Sequence, residues 1–132
     1  MASLLFNPSN YDPTYLDVES RKQMQALVKF FENKGKATLK SEYHAAEWYT
    51  DFIDFIAREG IFAGVATPAA VGDLLEGSPQ TRWDTARINE LNEILGFYSL
   101  DHWYAWQVSV LGLGPVWTSD NDNAKKLVGE LL

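Results

Sequence analysis

His44 and His102 are the chain's only two histidines, and cysteine is absent. Metal or acid–base chemistry would have to join one imidazole to nearby carboxylates, and Glu47 and Asp101 stand closest in sequence. The spacing assembles no such site. No HExxH occurs, and no ExxH helix pairs with a second glutamate helix, so two-metal bundle chemistry lacks its ligands. His44 falls on the polar side of its expected helix and should face solvent. His102, beside Trp103, reads as a first-turn surface or packing residue. GxSxG, P-loop and GxGxxG patterns are also missing. Gly112, Gly114 and Pro115 read as a helix stop, since no strand precedes them. Asp120 to Asn123 resemble half of a calcium loop without its downstream Gly and Glu, so helix capping is expected there.

The unusual chemistry is aromatic and apolar. Leu100 to Pro115, LDHWYAWQVSVLGLGP, carries two of the five tryptophans, and Trp117 follows closely. Trp103 and Trp106 share a helical face that Gln107 and Val110 continue, and Gln107 is its only uncharged amide. Either this face packs as core, or part of it lines a long apolar pocket with Gln107 in the wall.

The rest of the chain must position that stretch. Residues 1–16 read as an irregular arm, with Leu4, Leu5 and Phe6 available to pin it. Asp17 or Ser20 caps a first helix to about Asn33, whose stripe is Met24, Leu27, Val28 and Phe31, and Gly35 reads as its stop. Ser41 is expected to cap a second helix, Glu42 to Glu59, closed by Gly60, with Trp48, Phe52, Phe55 and Ile56 on one face and Tyr49 and Ile53 beside it. Ile61 to Pro79 reads as loop with a short turn around Ala69–Leu75. Ser78-Pro79 opens a third helix to about Leu95, striped by Ile88, Leu91, Asn92 and Leu95 and ended by Gly96. Ser99 or Asp101 begins the fourth, the apolar stretch, which should turn or kink at Gly112–Pro115. A last amphipathic helix covers Asn123 to Leu132. No segment alternates as a strand does, so the fold class is all-α, an antiparallel bundle of about five helices forming a single domain over residues 1–132.

Composition narrows function further. The net charge of −7 disfavours nucleic acid, which needs clustered Lys and Arg. No run approaches a membrane span or a signal peptide, and the absence of cysteine fits a reducing cytoplasm. The chain ends mid-helix at Gly-Glu-Leu-Leu, which reads as a domain cut from a longer protein.

Four ordered pieces carry a family resemblance. Arg58-Glu59-Gly60-Ile61-Phe62 and Val65 to Pro68 resemble a helix followed by L-G-(apolar) and I-P-E-x-x-G-G, with Pro68 and Gly72 kept and Ala69 in the acidic position. Leu91 to Gly96 resembles a helix written E-E-L-A, although bulkier Phe97-Tyr98-Ser99 follows in place of small residues. Leu111-Gly112-x-Gly114-Pro115-Val116 resembles L-G-x-x-P-I. Ser119 to Lys126 with Leu127 to Leu132 resembles G-(N/T)-(D/E)-x-Q-K-x-x-(Y/F)-L-x-x-L. Together, over about residues 50–132, the chain resembles the N-terminal α-helical domain of acyl-CoA dehydrogenases.

The resemblance implies a longer protein, with a β-barrel flavin domain and a C-terminal helical domain that this chain lacks. It implies α,β-dehydrogenation of an acyl-CoA thioester in fatty-acid or related acyl catabolism. FAD and the usual catalytic glutamate would be held mainly by the missing parts, electrons would pass to an electron-transferring flavoprotein, and the protein would be a homodimer or homotetramer. This domain's share is a wall of the acyl pocket. Carried over by position, its residues are Gln107, Leu111 and, one turn earlier, Trp103, which share an i, i+4, i+8 face. The chain itself supplies no catalytic residue and is expected to be inactive alone. An acyl-CoA oxidase with the same fold is an alternative, and a non-enzymatic helical interaction module is another of a different class. The surface around Trp103–Trp117 should be incompletely covered and should associate or bind hydrophobic dye.

Overall fold

The computed structural model describes residues 6–47, 49–71 and 83–132. The architecture is all-α. Among the described residues there are six α-helices and no strand: α1 Val18–Ala45, α2 Thr50–Arg58, α3 Ile61–Ala66, α4 Thr85–Tyr98, α5 Leu100–Thr118 and α6 Asp122–Leu131. Short 3₁₀ turns lie at Pro8–Asn10 and Ala69–Val71. Helix α4 packs on α1 and α5, α3 packs on α2 and α5, and α6 closes against α5.

Asp17 starts α1 by accepting from the Ser20 N–H at 2.9 Å and from its hydroxyl, satisfying a donor that the first turn leaves open. The expected stripe of Met24, Leu27, Val28 and Phe31 is buried. The helical conformation breaks at Gly35, as expected. That residue takes φ 74°, ψ 155°, a conformation that favours glycine, and the helix resumes beyond it to Ala45. Ser41 and Glu42 are therefore interior to α1, and the expected second helix begins late, at Thr50. Lys34 bridges the break, its ammonium 2.6 Å from Glu42 and 2.7 Å from Asp51, tying both limbs of α1 to α2. At the true end, Ala46 adopts the left-handed conformation and its N–H returns to Glu42 and Tyr43 carbonyls. Phe52, Phe55 and Ile56 bury the α2 face as expected, Tyr49 remains largely exposed, and Trp48 lies outside the described residues.

Three further boundaries differ from expectation. Ile61–Ala66 is helix, not loop, because Gly60 turns the chain at φ 67° and Ile61, Val65 and Ala66 then bury. The Ser78-Pro79 cap lies outside the described residues, and α4 starts at Thr85 with Asp84 accepting from the Arg87 N–H. It also runs through Gly96 to Tyr98. Helix α5, with Ser99 at its N-cap position, continues through Gly112, Gly114 and Pro115 to Thr118. Helix α6 is capped by Asn121, as the Asp/Asn cluster suggested.

The main core is aromatic. Phe31 stacks on Tyr98 with ring centroids 4.8 Å apart, and Phe30 stacks on Phe55 at 4.5 Å. His102 stands edge-on to Phe31 and Phe52, so it is a buried packing residue and not a surface one. Its Nδ1 lies 2.8 Å from the Ser99 hydroxyl. A second, smaller core gathers Trp117, Val71, Leu113, Val116, Val128 and Leu132. Arg87 is buried between the helices. Its Nε donates to Ser20 Oγ at 2.7 Å and Nη1 to the Gly64 carbonyl at 3.3 Å, with Asp17 3.8 Å from Nη2. That cation joins α1, α3 and α4 by bonds that would be strongly missed if it were removed.

Candidate functional site

Helix α5 is apolar on both sides, and the two sides have different cover. The inner line, His102, Trp106 and Trp117 with half-buried Val110 and Leu113, follows the helical period into the two cores. The outer line, Leu100, Tyr104, Val108, Leu111 and Pro115, follows the same period on the opposite side. Leu100 is 69% exposed, Tyr104 59% and Leu111 63%. A helix that is apolar all round normally lies within a larger protein body. Here the chain covers half of it.

Of the pocket-wall candidates, Trp103 is half-buried against the main core, and its indole N–H donates to Asn92 Oδ1 at 2.8 Å. Gln107, one turn on, is half-buried and its side-chain amide bonds to nothing among the described residues. Leu111, another turn on, is open. The three form one line that runs from covered to uncovered, with the only polar group between. Leu100, Tyr104 and Val108 extend the exposed surface; the sequence marks Tyr104 as one of an aromatic group with Trp103, Trp106 and Trp117, but does not single out Leu100 or Val108. The signal was present: after the inner line is assigned, a second complete apolar line remains.

Pro115 sits on that outer line. It has no N–H to return to Leu111, the residue four positions earlier, so the Leu111 carbonyl loses its usual helical donor. The break falls on the solvent side, where water can bond the carbonyl and the helix survives. Trp117 secures the inner side of the same turn by donating to the Ala66 carbonyl at 3.0 Å.

The titratable groups whose pKa values are displaced lie on other elements. Tyr11 donates to Glu90 Oε1 at 2.6 Å, and Tyr98 donates to Glu32 Oε1 at 2.6 Å. Burial first, and then the neighbouring carboxylate, pushes both phenols above the usual tyrosine range. Burial also raises Glu90, whereas hydrogen bonds from Ser20 lower Asp17. None of these side chains belongs to α5. Cavities of about 320 Å³ beside Tyr11 and Glu90, about 400 Å³ beside Phe31 and Tyr98, and about 470 Å³ beside Asp51 and Asp54 are lined by other residues than Trp103, Gln107 and Leu111. His44 is exposed, as expected, and among the described residues no three His, Asp or Glu side chains converge to hold a metal ion.

The arrangement along α5 presents an apolar surface that can bind and pack. Compared with protein-family models, curated proteins and solved structures, the chain matches none.

Proposed function

We propose that this chain is the N-terminal helical domain of an FAD-dependent acyl-CoA dehydrogenase. The observation that carries the reading is the uncovered apolar side of α5, directly before the Leu111–Val116 segment that resembles the family's L-G-x-x-P-I. Such a face needs cover from another domain and from an apolar substrate chain. In this role Leu111 and Gln107 stand in the acyl-pocket wall, with bulky Trp103 closing its inner end. Bulk there shortens the cavity, so acyl length is discriminated by this helix.

The cavities named above, among the described residues, do not fit the flavin itself. A flavin needs a slot for its ring system and cationic or N–H donors for its diphosphate. The cavities beside Glu90 and beside Asp51 are ringed by carboxylates, which repel a diphosphate, and the one beside Tyr98 pairs Lys36 with Glu32. FAD and the proton-abstracting base are accordingly assigned to polypeptide beyond these residues. The complete protein would act in the cytoplasm as a homodimer or homotetramer, passing electrons to an electron-transferring flavoprotein.

The test is to purify the complete gene product and record its flavin absorption, then follow acyl-CoA-dependent reduction of an artificial electron acceptor. Flavin bleaching on adding acyl-CoA supports the reading. A colourless protein that stays colourless with added FAD overturns it, and peroxide release without an acceptor reassigns it to the oxidases. The exposed line also favours a second reading, a helical interaction module with no enzyme attached. An open reading frame that stops at Leu132 selects that one.

A further inference from the structure

The cavity between the N-terminal arm and α4, about 320 Å³, is bordered by the rings of Phe6, Tyr11 and Tyr15 and the carboxylates of Asp12, Glu90 and Glu93. Glu90 is its anomaly. It is only 5% exposed, yet no ion pair among the described residues reaches it. Its partner is the Tyr11 hydroxyl, which occupies one carboxylate oxygen. Taking a carboxylate out of water without a counter-charge is costly. Burial opposes the ionised carboxylate and the Tyr11 hydrogen bond favours it, but the phenol, held protonated by burial and by Glu90, brings no counter-charge. Glu93, one turn further along α4, adds a second carboxylate without an ionic partner among the described residues. Asp12 is different, since Arg21 lies 3.8 Å away.

The missing partner is a cation, and its kind follows from the lining. A bare metal ion requires several oxygens converging at about 2–2.6 Å, and no such group of three is present among the described residues. Separated carboxylates and angled rings suit a larger, weakly hydrated cation. The Phe6 and Tyr11 rings, both in the lining, lie 5.1 Å apart at 49°, and aromatic rings attract an ammonium group. The volume is at the small end for a ligand site.

We propose that this cavity binds a small alkylammonium cation, with Glu90 as its anionic anchor and the Phe6, Tyr11 and Tyr15 rings as its wall. The site uses no residue of α5, so it stands or falls independently of the acyl-CoA reading.

The experiment is a titration of the isotopically labelled protein, followed by NMR, with tetramethylammonium chloride as the probe. Sodium chloride at equal ionic strength and neopentyl alcohol, a neutral molecule of similar shape, are the controls. Saturable shifts at the arm and around Glu90 with the ammonium alone are expected. Glu90→Gln keeps an acceptor oxygen for Tyr11 and removes the charge; it should weaken binding about ten-fold or more without lowering the melting temperature. Equal shifts with either control, or undiminished binding in Glu90→Gln, would overturn the proposal. If that variant does not fold, Glu93→Gln and Tyr15→Leu carry the test, and unchanged affinity in both overturns it. Phosphatidylcholine vesicles present the same cation on a surface. Vesicle binding without any response to free tetramethylammonium would also overturn the small-cation site.

Discussion

Along α5 the inner line of His102, Trp106 and Trp117 is buried, while the outer line of Leu100, Tyr104 and Leu111 faces solvent, although both are apolar and both repeat with the helix. The inner line has partners from every other helix that reaches it: Phe31 of α1 and Phe52 of α2 against His102, and the Ala66 carbonyl of α3 against Trp117. The outer line has none of these. Hydrophobicity made both sides candidates for burial. What separated them was the supply of facing surface, which the described residues provide on one side of a 19-residue helix. An uncovered line of this kind marks a docking or ligand surface more often than a packing error.

The comparison breaks most visibly at Trp106. Trp106→Ala empties a large buried site and should lower unfolding free energy by about 3–5 kcal/mol, measured by denaturant titration. A loss below about 1 kcal/mol would mean that the inner line does not hold α5 to the body.

Gly35→Ala tests the cover that α1 provides. Open space surrounds the position, but the left-handed φ penalises a side chain, so about 1–3 kcal/mol should be lost. The melting temperature checks it, and no change would show that the two limbs of α1 are not fixed by this break.

Trp117→Phe keeps most of the ring and removes the donor to Ala66, leaving a buried carbonyl short of a partner. About 1 kcal/mol should be lost, and hydrogen exchange should rise in α6 before the main core.

Asp17 offers a pH test of the same anchoring. Ser20 holds its folded carboxyl below the ordinary carboxylate range, so its stabilisation is complete above the unfolded value of about 3.9 and is lost as pH falls through the lower folded value. Asp17→Asn should flatten that part of the acid limb. An unaltered acid limb would remove Asp17 from the account of how α1 is held.

The smallest stability effect belongs to the outer line. Tyr104→Ser and Leu111→Ser should each change stability by no more than about 0.5 kcal/mol, yet together they should reduce hydrophobic dye binding. A large destabilisation would show that the outer side is covered after all.

Much of the fold was legible. The stripe from Met24 to Phe31, the Asp17 and Asn121 caps, the turn at Gly60 and the start of α5 after Ser99 all follow from residue type and spacing. The misplaced boundaries have a common cause. Gly96, Gly112 and Pro115 are locally helix-ending residues carried inside helices, with Tyr98 stacked on Phe31 beyond Gly96 and Trp117 anchored beyond Pro115, whereas Gly35 does break its helix and a second limb follows it. The line of Trp103, Gln107 and Leu111 was legible as a helical face, but its passage from covered to open was not. Nor was the pairing of Tyr11 with Glu90, which are 79 residues apart.

By itself, then, the sequence determined the all-helical class, the helical period of each stripe and the apolar character of α5 on both sides, because these depend on neighbours within one or two turns. Only the tertiary structure decided that Gly96, Gly112 and Pro115 were overruled, which side of α5 was covered, and that Glu90 was buried against Tyr11. Those outcomes depend on which distant surfaces meet, and no local pattern contains that information.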